Sequence, residues 1–167
     1  NILGAGYDAV PLAEASRALG WRIRIHDHRP DYVRPERFPP GCRIEHLPNG
    51  ELGSLDLGRD GIAVVMSHNY MRDKAVLASL LQKNFRYAGC LGPRQRTDDL
   101  LRDLKDDEQI APTEDQMERI YSPIGLDVGA ETPEEIALSI VSEIQSVLAG
   151  RDGGHLRHRR GPIHDRR

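Results

Sequence analysis

The chain has 167 residues, 38% of them hydrophobic and 29% charged, and a net charge of −3. That length suits one domain with a full core and leaves little room for two. No run approaches the roughly 18 consecutive apolar residues of a membrane span and no signal segment opens the chain, so it reads as soluble and cytoplasmic; two cysteines, Cys42 and Cys90, outside any C-x-x-C pattern, exclude a disulfide framework and a zinc site.

The first nine residues read as the end of a buried strand, a glycine-rich turn and a helix start. In this G-x-G-x-x-A pattern Gly4 permits the tight turn, and Gly6 lets backbone N–H groups approach a pyrophosphate with Tyr7 beside it. Ala9 stands where helix-on-strand packing needs a small residue. Glycines also serve ordinary turns, so context decides. A strand already near its carboxyl end at Asn1 suggests a longer protein upstream.

Pro11 falls in the first helical turn, Leu12, Ala15 and Leu19 form one apolar face, and Gly20 ends the helix. Residues 21–26 alternate with period two, a second strand closed by Asp27. Asp27 follows Gly6 by 21 residues, and an interval of about 20 residues separates the turn from the ribose-binding acid of dinucleotide folds. The other reading of Asp27 is a cap on the loop after its strand. Residues 29–42, with four prolines, read as a surface loop whose Arg34, Arg37 and Phe38 can fold over a ligand. A short strand is expected at 43–46 and an irregular stretch after it.

Residues 61–66 are a continuous apolar run suited to a central parallel strand. It ends at Ser67 and His68, which should face the glycine turn across the switch point of an open sheet. A helix follows with Val76, Leu77, Leu80 and Leu81 on one face. Residues 87–92 read as another buried strand, which releases Arg94 and Arg96 at the same rim. The next helix buries Leu100, Leu101 and Leu104. Thr113 with Gln116, and Thr132 with Glu135, match capping boxes. The last helix carries Ile136, Ile140, Ile144, Val147 and Leu148 as its stripe. The sum is an α/β, Rossmann-like, doubly wound and mostly parallel sheet with helices on both faces, spanning residues 1–149.

Residues 150–167 read as a basic, flexible tail. Its last 17 residues hold six Arg against two Asp, a net of +4, which leaves −7 for residues 1–150. So acidic a body argues against a nucleic-acid-binding domain.

The motifs S-H-N-Y at 67–70, L-G-P-R at 91–94 and, above all, P-I-G-L-D-V-G-A-E-T-P-E-E-I-A at 123–137 resemble the Rossmann-like carboxyl-terminal domain of the XdhC/CoxI family. These are xanthine dehydrogenase accessory factors. The resemblance implies a maturation factor that binds molybdenum cofactor (molybdopterin) and assists its insertion into an apo-molybdoenzyme of the xanthine dehydrogenase type, with a cysteine desulfurase as a further partner. The cofactor-binding set expected is Gly4, Gly6, Tyr7, Asp27, Ser67, His68, Arg94, Arg96 and Glu131.

His68 reads either as an acid, base or ligand-binding group, or as a side chain satisfied by a loop carbonyl or Asp73. Arg94 and Arg96 read as phosphate partners or as surface charges at a helix start. With no nucleophile beside a base and no metal-spaced cluster, no catalytic residue and no metal ligand is assigned. Two other classes stay open: an NAD(P)-dependent oxidoreductase, and an interaction domain with a vestigial site and a docking tail. A homodimer is expected through the apolar stripe of the last helix and a sheet edge.

Overall fold

A computed structural model describes residues 1–58 and 61–163. Six strands form one sheet: β1 (Ile2–Leu3), β2 (Arg24–Asp27), β3 (Arg43–His46), β4 (Ile62–Val65), β5 (Tyr87–Cys90) and β6 (Ile120–Tyr121). Their order is β3-β2-β1-β4-β5-β6, and every pairing is parallel. This is the doubly wound order of dinucleotide-binding sheets, in which the chain reverses direction between β1 and β4.

Strands β1, β4 and β5 are almost wholly buried because helices cover both faces. On one face α1 (Ala9–Ala18) and α5 (Pro133–Leu148) pack together over Ile2, Ile25, Val64 and Tyr87. On the other, α2 (Tyr70–Leu81) and α3 (Arg94–Glu108) cover Leu3, Val65, Ala88 and Cys90. The alternation along β1 and β4, Ile2 and Val64 to one core and Leu3 and Val65 to the other, follows from the period-two pleat. A single turn, α4 (Glu114–Met117), precedes β6.

Both capping boxes form. Thr113 accepts the Gln116 amide at 3.2 Å, and Thr132 accepts the Glu135 amide at 3.3 Å while Glu135 Oε2 accepts the amide of Thr132 at 3.0 Å. Each satisfies helix-start donors that would otherwise lack partners.

The structure corrects two details. Helix α1 stops at Ala18, so Leu19 becomes its C-cap and lies half exposed, and the buried face is Ala9, Leu12, Ala13 and Ser16. Strand β6, two residues long, was not expected; it closes the sheet edge beside β5, pairing Ala88 with Ile120 and Gly89 with Tyr121. The apolar stripe of α5 is divided: Ile140 and Ile144 are buried in the core shared with α1, while Ile136, Val147 and Leu148 are only partly buried.

Candidate functional site

The candidate site is the carboxyl-end rim of the sheet, at the β1/β4 reversal. Gly4 holds it together by absence of a side chain: at φ +130°, a Cβ there would stand 2.5 Å from the Met66 carbonyl oxygen. Only glycine lets the end of β1 turn this close to the end of β4.

The turn is pinned from the β2 side. The Gly4 amide donates to the His26 carbonyl at 2.8 Å, and the Ala5 amide donates to Asp27 Oδ2 at 2.7 Å. Asp27 is buried and also accepts the Arg29 amide at 2.9 Å, Arg29 Nε at 3.0 Å and Arg29 Nη2 at 2.9 Å. Four donors fill the lone-pair positions of a carboxylate, so this side chain is committed to the turn and to Arg29 as the rim stands. Burial works against its charge, but the Arg29 guanidinium and the Ala5 and Arg29 amides prevail and hold the carboxyl down at about 2.

The loop 29–42 lies over the other side of the turn. Arg37 Nη1 donates to the Ala5 carbonyl at 2.8 Å and to the Tyr32 carbonyl at 2.9 Å. Arg29 stacks 3.6 Å above the Tyr32 ring, and the Arg37 guanidinium lies 5.7 Å from the Tyr7 ring. Tyr7 itself is 85% exposed at the head of α1. Phe38 is buried in the core cluster of α1 and α5, with its ring 5.4 Å from the Arg37 guanidinium. Arg34 pairs with Asp31 at 3.1 Å.

From β4 come Ser67 and His68, and they part company. Ser67 is buried, and its Oγ donates to Asp73 Oδ1 at 2.5 Å. Arg96 Nη2 holds the other oxygen of Asp73 at 2.8 Å, so Ser67, Asp73 and Arg96 tie the heads of α2 and α3 to the end of β4. His68 stands in the left-handed region at φ +57°, which histidine adopts more often than most residues other than glycine, with 59% of its side chain exposed. Its Nε2 donates to Asp8 Oδ2 at 2.6 Å.

Asp8 is the rim residue that sequence reasoning passed over. It occupies the N-cap position of α1 without making a side-chain cap bond. Its Oδ1 is buried and has no hydrogen-bond partner among the described residues, and a Cβ on Gly6 would lie 2.8 Å from that oxygen. The available signal was an acidic residue just before a helix expected to face phosphate, but its pairing with a residue 60 positions away is a product of the fold.

Of the expected set, Gly4, Gly6, Tyr7 and Asp27 meet around one turn, with His68 joined to it through Asp8. Ser67 and Arg96 meet instead around Asp73. Arg94 is exposed on the first turn of α3 with no side-chain partner among the described residues. Glu131 is exposed just before α5, and its amide donates to Glu135 Oε2 at 2.8 Å. Burial pushes the Cys90 thiol up to about 12, which removes it from thiolate chemistry at the rim. Among the described residues no group of three or more His, Cys, Asp or Glu could hold a metal ion, and no helix is long and apolar enough to cross a membrane. The tail is exposed nearly throughout residues 151–163, with a short turn at Leu156–His158; residues 164–167 lie outside the described residues.

Residues 1–144 match the family model of the XdhC Rossmann domain. A relative from Bacillus subtilis (strain 168), named as a probable subunit of xanthine dehydrogenase, is 36% identical over 144 residues, which are 86% of this chain and 41% of that protein. "Uncharacterized protein YqeB" of Escherichia coli (strain K12) is 29% identical over 155 residues, 92% of this chain and 28% of that one. The crystal structure of a xanthine dehydrogenase from Bacillus halodurans superposes with a TM-score of 0.76 at 30% identity, covering 90% of this chain and 42% of that one. The chain therefore spans less than half the length of the relatives it matches.

Proposed function

We propose a function from one premise, that the chain belongs to the family of XdhC Rossmann domains: it is an accessory factor of a xanthine dehydrogenase-type molybdenum hydroxylase. Its proposed work is to hold a cofactor at the carboxyl-end rim and to assist insertion into the apo-enzyme, without chemistry of its own. The observation that carries this reading is the 36% identity, over 86% of the chain, to a protein named for xanthine dehydrogenase.

Between the two cofactors considered, our reading is the molybdenum cofactor rather than NAD(P). Asp27, the acid a dinucleotide needs for its ribose, already accepts four hydrogen bonds. The space over Gly6 that a pyrophosphate needs holds the Asp8 carboxylate. Both contacts weigh against a dinucleotide at this turn. Arg94, exposed at the head of α3, supplies a cation at the rim for a cofactor phosphate. Sulfur supply by a cysteine desulfurase belongs to the same reading.

Affinity capture of the tagged chain from cells expressing the molybdenum hydroxylase, followed by molybdenum analysis of the eluate, tests the proposal. Co-elution of the hydroxylase is the expected result. Absence of any molybdoenzyme in the eluate would sink it. Calorimetry with NAD and NADP tests the oxidoreductase reading, for which binding is expected to be undetectable.

A further inference from the structure

We propose that Asp8 is a specificity residue that closes the glycine turn of this chain to phosphate. The inference rests on the rim being the ligand site, the reading given under the proposed function, and names what the glycine turn itself rejects.

A glycine at the second position of such a turn leaves out a side chain so that a pyrophosphate can come down onto the backbone. In this chain that space is already filled from within: Asp8 Oδ1 lies 2.8 Å from where the Gly6 Cβ would be. The amides of Gly6, Tyr7 and Asp8, the donors a phosphate would use at the head of α1, make no hydrogen bond to protein among the described residues. The anion placed beside them belongs to the chain.

Two observations make this an ordered arrangement. His68 Nε2 donates to Asp8 Oδ2 at 2.6 Å and so fixes the carboxylate over Gly6, and His68 reaches it from a left-handed backbone conformation, at φ +57°. The second is that Asp8 Oδ1 is buried without a donor. A buried carboxylate oxygen without a partner is costly to the fold, and ordinary helix capping does not explain it, because Asp8 makes no cap bond.

A phosphate entering the turn would meet this carboxylate at close range. Like charges about 4 Å apart repel by an amount that weakens binding roughly fivefold under full water screening and roughly a thousandfold at a partly shielded surface. Steric exclusion adds to this, because the carboxylate must swing away from His68 before a phosphate can touch the Gly6 amide. The turn therefore accepts phosphate only after Asp8 has moved or been neutralised.

Calorimetry on the full chain, with ADP and adenosine as probes at low ionic strength, tests this. Asp8→Asn removes the charge and keeps the shape; Asp8→Ala removes both. Expected results are a gain in ADP affinity of about tenfold or more for Asp8→Asn, an equal or larger gain for Asp8→Ala, and less than a twofold change for adenosine. Equal ADP affinity in the parent and both variants, no detectable ADP binding in any of them, or an equal gain for adenosine would each overturn the proposal. Capture of the molybdenum hydroxylase by the same variants reads the accessory role separately: loss of that capture in the parent chain refutes the role, while flat ADP titrations with capture intact refute only the part given to Asp8.

Discussion

Asp27 Oδ2 accepts the amide of Ala5 at 2.7 Å, across 22 positions of sequence, and so ties the end of β2 to the glycine turn at the end of β1. The same carboxylate holds Arg29 by backbone and side chain, and Arg29 stacks on Tyr32. One buried acid thus sets the shape of the turn and anchors the loop that covers it.

Asp27→Asn should therefore lower stability by about 2–4 kcal/mol, since the Arg29 guanidinium loses its counter-charge and one of the donors converging there meets an NH₂ group instead of an acceptor. The effect has a defined pH dependence. Asp27 is held at about 2 in the folded protein against an ordinary value of 3.8. Its contribution is present above about 4 and is lost as pH falls toward about 2. Urea unfolding of parent and variant should show a gap that is constant near neutrality and narrows across that acid window.

Glu143 plays a corresponding part at β5. Its Oε1 accepts the Tyr87 hydroxyl at 2.6 Å and the Gly125 amide at 3.0 Å, joining α5 to β5 and to the loop after β6. Burial, and then the bond to Glu143, pushes the Tyr87 hydroxyl far up from its ordinary range, so it stays a donor at any working pH. Glu143→Ala should cost about 2–4 kcal/mol by leaving two donors without an acceptor, and Glu143→Gln should recover more than half of that. Thermal unfolding of the three proteins decides the order.

The thiols should separate in a reactivity assay. Cys90 is buried in β5 and its thiol is raised to about 12, by burial first and by the nearby Asp73 second. At pH 8 roughly one molecule in ten thousand carries the thiolate. Cys42 is half-buried, and burial raises its thiol as well. Iodoacetamide at pH 8 should label Cys42 slowly and leave Cys90 untouched until denaturant is added; mass spectrometry showing Cys90 alkylated in the folded protein would contradict this.

What the sequence made legible follows the range of the interactions. The strand cores at Ile62–Val65 and Tyr87–Cys90 and the boxes at Thr113 and Thr132 are local patterns, readable from neighbouring residues. Strand β6 escaped because Ile120–Tyr121 is too short to show periodicity; it is a strand only because β5 lies beside it. The rim was legible as a place, since the ends of parallel strands at a reversal must converge. Its bonding was not. The Asp8–His68 pair and the Asp27–Ala5 bond each join residues far apart in sequence, and nothing in the composition of either neighbourhood announces the partner.

The two glycines of the turn should answer differently to the same substitution. At Gly4 an alanine needs a left-handed backbone at φ +130°, and its Cβ would meet the Met66 carbonyl oxygen at 2.5 Å and Ser67 Cα at 2.8 Å. Both obstacles are backbone, held by the β1–β4 pairing. Gly4→Ala should therefore cost on the order of 3 kcal/mol or more, or prevent folding. At Gly6 the Cβ meets only the end of the Asp8 side chain at 2.8 Å, and that side chain can rotate. Gly6→Ala should keep the fold within about 1 kcal/mol of the parent, while pushing the Asp8 carboxylate off His68. Denaturant unfolding measures the first difference, and the His68 ring resonances in an NMR spectrum measure the second. A Gly6→Ala protein as unstable as Gly4→Ala would mean that Asp8 is held at the turn more rigidly than one hydrogen bond to an exposed imidazole accounts for.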